Sequence, residues 1–165
     1  MMNDGNVINQ ILVRLFRRIN MLEERTICRD RFKDITINEL HVIEAIGDEG
    51  SKSMTTIAKA LDVTTGTLTI SVNALVRKGL AQRIRSEEDR RVVLVSLTEL
   101  GREANARHSR FHEEMTDAIL SGLNDGEIDV LLDALVRLNE FFESMEVNYG
   151  GCKSSDRTGE DIPGH

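Results

Sequence analysis

The stretch LDVTTGTLTISVNALVRKGLAQRIRSEEDRRVVLVSLTELGRE, Leu61–Glu103, decides the fold because its hydrophobic period changes twice. From about Thr64 the apolar residues Leu68, Val72 and Leu75 recur at three- and four-residue steps, which is one face of a helix. Gly79 is well suited to end that helix. The period then drops to that of extended chain. Leu80–Arg85 and Val92–Leu97 (VVLVSL) read as two short strands rich in β-branched residues, joined by the polar, turn-like Ser86–Arg91. Thr98 with Glu99 opens the next helix, which reaches about Ser121.

Working outward, Ser53 is placed to cap a short helix whose buried stripe is Ile57, Ala58 and Leu61. Before it, Thr36 and Glu39 have the spacing of a capping box for a helix through Leu40, Ile43 and Ile46 that stops at Gly47. Ile8, Ile11, Leu12, Leu15, Ile19 and Leu22 mark a long amphipathic helix over about Val7–Cys28. Asn124 or Asp125 caps a sixth helix running to about Tyr149 through Ile128, Leu131, Leu132, Leu135, Leu138 and Phe142. Two short helices joined tightly and followed by a hairpin are the parts of a winged helix-turn-helix. The fold class is therefore mainly α with a small β-wing and six helices. The terminal helices carry more apolar surface than the small centre can cover, which predicts a homodimer paired through them. The organisation follows: 1–35 and 98–149 as a helical dimerisation region, 36–97 as the winged region, and 150–165, which lacks periodicity, as a disordered tail.

Composition narrows the partners. The net charge of −7 is unevenly spread. Lys52–Arg102 holds nine Lys/Arg against five Asp/Glu, a net of +4, and the remainder holds twelve against twenty-three, a net of −11. A basic centre between acidic arms suits a chain that meets phosphate with one region only. No apolar run approaches the roughly 18 residues that cross a bilayer, so no membrane partner is expected. Met1–Asn9 lacks the layout of a signal peptide, which points to the cytoplasm. Cys28 and Cys152 lie far apart, and a disulfide framework is not expected of an intracellular chain.

The helix from Thr64 holds the chemistry. With Leu68, Val72 and Leu75 inward, Gly66, Thr67, Ile70, Asn73 and Arg77 face outward. Thr64, Thr65 and Thr67 gather at its first turn, where hydroxyls and free backbone N–H groups can bind phosphate. Asn73 can read a base edge, and Arg77 can reach a phosphate or a guanine. An outward Ile70 is either a stray surface residue or an apolar contact for a thymine methyl. At the hairpin tip, Asp89, Arg90 and Arg91, with Arg83 and Arg85 on the incoming strand, form either a solvated turn or a wing for the A·T-rich minor groove, with Asp89 orienting an arginine.

Leu61–Glu103 strongly resembles the core of MarR-type regulators, through Asp89-Arg90-Arg91, Leu97-Thr98 and Gly101, and the six-helix layout extends the resemblance over about residues 7–147. Ile70 stands where many members carry arginine. RFKDITINELHVIEAIG (Arg31–Gly47), RSEEDRRVV (Arg85–Val93) and HSRFHEEM (His108–Met115) resemble the fatty-acid-synthesis repressors of that family, the FabT type. The resemblance implies a repressor of lipid-synthesis promoters that binds double-stranded DNA at an A·T-rich palindrome, with long-chain acyl-acyl carrier protein as corepressor. An effector pocket is then expected between the first, second and fifth helices.

His108 and His112, four apart on one helix face, can meet one metal ion. With Glu24 and His41 they match the primary site of the zinc-uptake repressors of the same family, so the resemblance also admits an alternative, a zinc-responsive repressor of metal uptake. The same residues fit plain hydrogen bonding between helices, and both readings stand. No cofactor other than this zinc is implied. Cys28, near Arg25, Arg29 and Arg31, is either an incidental thiol or a redox switch. There is no Gly-rich phosphate loop, Cys-x-x-Cys pair or nucleophile elbow, so the chain does not read as an enzyme. A purely structural helical dimer would leave the basic wing without a purpose.

Overall fold

The structure is a computed structural model that describes residues 4–27, 29–86 and 92–149, the last four as backbone only. It contains α1 (Asp4–Ile27), α2 (Ile37–Ile46), β1 (Lys52–Ser53), α3 (Met54–Ala60), α4 (Thr65–Arg77), β2 (Ala81–Arg85), β3 (Val93–Leu97), α5 (Glu99–Leu120) and α6 (Asp125–Tyr149). A single 3-10 turn, Asp30–Phe32, precedes α2. The architecture is the expected one: six helices with a small antiparallel sheet. The chain divides into two units, residues 1–116 and 117–165.

The sheet has one strand more than the hairpin alone would give. Its order is β1-β3-β2, with Lys52 opposite Val95 and Ser53 opposite Leu94. β2 and β3 pair from Ala81 opposite Leu97 to Arg85 opposite Val93, and Ser86 N–H donates to Val92 O beyond the last pair. The tip, 87–91, holds Asp89, Arg90 and Arg91 and lies outside the described residues, as do Cys28 and the tail 150–165.

Local chemistry explains where the helices begin and end. Glu39 N–H donates to Thr36 Oγ1 and Thr36 N–H to Glu39 Oε2, which completes the capping box of α2. Ser53 and Thr64 cap α3 and α4 by accepting from the N–H groups of Thr56 and Thr67. Both of these helices close with the paired bonds that a left-handed residue permits. For α3 that residue is Asp62, φ 49°, with Val63 N–H donating to Ala58 O and Asp62 N–H to Lys59 O. For α4 it is Gly79, φ 71°, with Leu80 N–H donating to Leu75 O and Gly79 N–H to Val76 O. The tight link between α3 and α4 is thus fixed by backbone bonds.

The core of the first unit is continuous. Ile27, Phe32, Leu40, Ile43, Ile46, Ile57, Leu68, Val72, Leu75, Leu80, Val95, Leu97 and Ala104 are all buried. Gly101 explains the closeness of α5 to this core. A Cβ at that position would collide with the carbonyl oxygen of Leu80, so only glycine lets the first turn of α5 lie on the start of β2. Thr98 ties the same corner, its hydroxyl donating to Gly79 O and accepting from Gly101 N–H.

Candidate nucleic-acid interface and the histidine cluster

The outer face of α4 is formed as expected. Leu68, Val72 and Leu75 are buried, while Thr64, Thr65, Gly66, Thr67, Ile70, Asn73 and Arg77 are exposed. Ile70 is 72 % exposed, an apolar side chain presented to solvent in the middle of a polar face. Thr64 Oγ1 lies 3.0 Å from Thr67 Oγ1, and Thr69 Oγ1 donates to Thr65 O, which orders the first turn. A Cβ on Gly66 would meet only Thr64 Oγ1, at 3.7 Å. The lobe itself therefore does not require glycine there, and its absence of a side chain leaves room for close approach from outside.

Arg83 and Arg85 are exposed on β2, and among the described residues neither they nor Arg77 enters an ion pair. Their charges are free to meet phosphate. Lys78 differs. Its Nζ donates to Glu39 Oε1 and Oε2 at 2.7 and 2.6 Å and also to the carbonyl oxygen of Asp34. Burial alone would raise the Glu39 carboxyl, but hydrogen bonds from Lys78 and Thr36 outweigh it and hold its pKa below the usual 4.5.

Histidines gather elsewhere in the same unit. His108 and Glu23 are buried on α5 and α1, with His108 Nε2 2.5 Å from Glu23 Oε1. His112 Nε2 lies 2.9 Å from His108 Nε2, and His41 Nε2 lies 3.9 Å from Glu23 Oε1. The carboxylate is Glu23 and not Glu24, which is exposed. Helical phase is the reason: Glu23 shares the inward face of α1 with Ile27, four residues on, and Glu24 is turned about 100° away. Glu23, His41 and His108 bring one donor atom each within 4.8 Å of one another. Nitrogen-rich donors with one carboxylate suit zinc. Tetrahedral bonds of about 2.0–2.1 Å place donors about 3.3 Å apart. The closest contacts here, 2.5 and 2.9 Å, are those of hydrogen bonds and would have to open to admit an ion.

A cleft of about 310 Å³ lies between α2 and α4, walled by Asn38, His41, Val42, Thr67, Leu68 and Ser71. It was not anticipated, since a pocket was expected where the first, second and fifth helices meet. No helix of the described residues is long and apolar enough to cross a membrane.

Comparison with known proteins places this geometry. Residues 35–93 match the model of the MarR family. The HTH-type transcriptional regulator YpoP of Bacillus subtilis, itself uncharacterized, is 31% identical over 111 residues, 66% of this chain and 77% of that protein. The HTH-type transcriptional regulator BilQ of Clostridium symbiosum is 31% identical over 111 residues, covering 67% and 76%. Among solved structures, Streptococcus pneumoniae FabT in complex with DNA is 40% identical, with a TM-score of 0.79 over 86% of this chain and 99% of that one. These relatives are regulators rather than enzymes. The chain belongs to the MarR family of DNA-binding transcriptional regulators.

Proposed function

We propose that the chain is a homodimeric cytoplasmic repressor of fatty-acid synthesis genes that binds an A·T-rich palindrome, with long-chain acyl-acyl carrier protein as corepressor. The observation carrying the DNA part is the exposed outer face of α4, with Arg77, Arg83 and Arg85 beside it, none of them in an ion pair among the described residues. The FabT likeness at 40% identity supports the choice of genes, and the corepressor rests on the resemblance of the sequence to the FabT type alone. In this reading α4 enters the major groove. Thr67, Ile70 and Asn73 meet base edges, Thr64, Thr65 and Gly66 approach phosphate, and Arg77 reaches a phosphate or a guanine. Arg85, Arg90 and Arg91 hold the flanking minor groove, with Asp89 orienting them. Residues 1–35 and 98–149 supply the pairing of the two copies, which is supported by open apolar side chains such as Phe16 on α1 and Val130 on α6.

The test is fluorescence anisotropy with metal-free protein on an A·T-rich palindrome. Binding should tighten on addition of long-chain acyl-acyl carrier protein and stay unchanged with zinc. Indifference to the acylated carrier removes the corepressor. Tightening by zinc that disappears in His108→Ala would instead make the histidine cluster the sensor. Ile70→Ala should weaken discrimination at one A·T pair more than it weakens binding to unrelated DNA.

A further inference from the structure

By composition Lys78 counts among the basic residues of the DNA-binding region, next to Arg77. Its geometry removes it from that role. A lysine ammonium has three donors. Here they meet both carboxylate oxygens of Glu39 and the carbonyl oxygen of Asp34. Glu39 is itself buried, and its Oε2 also accepts from Thr36 N–H at 2.8 Å and from the Thr36 hydroxyl at 3.1 Å. The pair joins the last turn of α4 to the first turn of α2, across 39 residues of sequence.

From these contacts we infer that Glu39 and Lys78 are positioning residues that set the angle at which α4 is presented to DNA, and so govern discrimination between sequences without touching a base. The inference rests on the reading of α4 as the helix that enters the groove. Lys78 and Thr67 are eleven residues apart, about 16 Å along the helix axis. A tilt of about 5° about the Lys78 end would therefore move Thr67 by about 1.4 Å, which takes a 2.9 Å hydrogen bond well beyond its useful range. Contacts between arginines and phosphates are Coulombic and fall off gently with distance, so they survive such a shift. Loss of the pair should accordingly damage specific binding and spare non-specific binding.

The direct-contact view predicts the opposite for one variant. Glu39→Gln removes the charge that holds Lys78, and if lysine served phosphate this would tighten binding. The experiment first selects a duplex from a random-sequence pool with the wild-type protein. Anisotropy then compares that duplex with its scrambled form for Glu39→Gln, Lys78→Met, the double variant and Lys78→Arg, each below its own thermal midpoint. Glu39→Gln and Lys78→Met should each lose about tenfold on the selected duplex and less than about twofold on the scrambled one, and the double variant should be no worse than either single. Lys78→Arg, which can fork onto the same carboxylate, should stay within about twofold of wild type on both. Equal losses on both duplexes, additive losses in the double variant, or unchanged or tighter binding by Glu39→Gln would overturn the inference. Should Glu39→Gln fail to fold, the selected-to-scrambled ratio of Lys78→Met against Lys78→Arg carries the same contrast, and equal ratios would overturn it. If the wild type selects no sequence, the reading of α4 fails and the role of the pair falls with it.

Discussion

Helices α4 and α1 are both amphipathic, and their apolar faces meet opposite fates. In α4 the inward residues Leu68, Val72 and Leu75 are essentially fully buried within the unit. In α1, Ile8, Ile11, Leu15, Phe16 and Leu22 remain about half exposed, and only Ile27 near its end joins the core. A helix whose apolar stripe is satisfied inside its own chain can present an unusual residue such as Ile70 outward at little cost to folding. One whose stripe stays open is built to be covered. The winged lobe thus buries its apolar faces within the chain, while α1 leaves most of its own open.

That contrast can be broken most directly by truncating one residue on each side of it. Leu75→Ala should cost about 3–4 kcal/mol, because it removes buried surface and leaves a cavity. Leu135, on α6 and half exposed in a single chain, should behave differently. Leu135→Ala should leave the urea midpoint of dilute protein nearly unchanged and shift the monomer–dimer equilibrium seen by sedimentation. If Leu135→Ala lowers the midpoint as much as Leu75→Ala does, independent of protein concentration, α6 is packed within its own chain and the contrast is lost.

Gly101 sharpens the same contrast at the seam of the lobe. Gly101→Ala should cost about 2–3 kcal/mol, since the added methyl meets a backbone carbonyl that cannot move alone. Thermal unfolding measures it. An unchanged midpoint would show that α5 rides more loosely on β2 than the geometry implies.

How much of this was legible depended on whether the cause was local. The capping box of Thr36 and Glu39 is a spacing within four residues, and it was read from the sequence and found as written. So were the inward face of α4 and its end at Gly79. The strand Lys52–Ser53 was not, because two residues have no period and become a strand only by pairing with Leu94 and Val95. Gly101 was noticed as a family feature, but its reason, the carbonyl of Leu80, lies twenty-one residues away. The engagement of Lys78 is hidden for the same kind of reason, since its acceptors Asp34 and Glu39 lie 44 and 39 residues away in sequence.

The choice between Glu23 and Glu24 is the narrowest miss, and it makes a clean pair of variants. Glu23→Ala leaves the buried His108 without the oxygen its Nε2 meets, at a cost of about 2 kcal/mol. Glu24→Ala, at an exposed site, should stay within about 0.5 kcal/mol of wild type. Chemical denaturation of both in the presence of a chelator separates them, and equal effects would mean that the helix presents its faces otherwise.

The smallest effect is a pH dependence, and its sign follows from Glu39. The folded carboxyl titrates below its ordinary value because Lys78 and Thr36 favour the charged form more than burial opposes it. A group with a lowered folded pKa contributes stability that is fully present above its unfolded pKa and is lost as the pH falls through the folded one. Wild type should therefore exceed Glu39→Gln by about 1 kcal/mol at neutral pH, a modest figure because Lys78 is partly exposed and its pairing is screened. The difference should stay level down to about pH 5 and shrink below about pH 4, where the wild-type carboxyl gains a proton and the glutamine has none to gain. Urea midpoints of both proteins across that range decide it. A gap that persists undiminished at about pH 3 would mean that the amide disrupts the lobe by shape and that the charge on Glu39 contributes nothing.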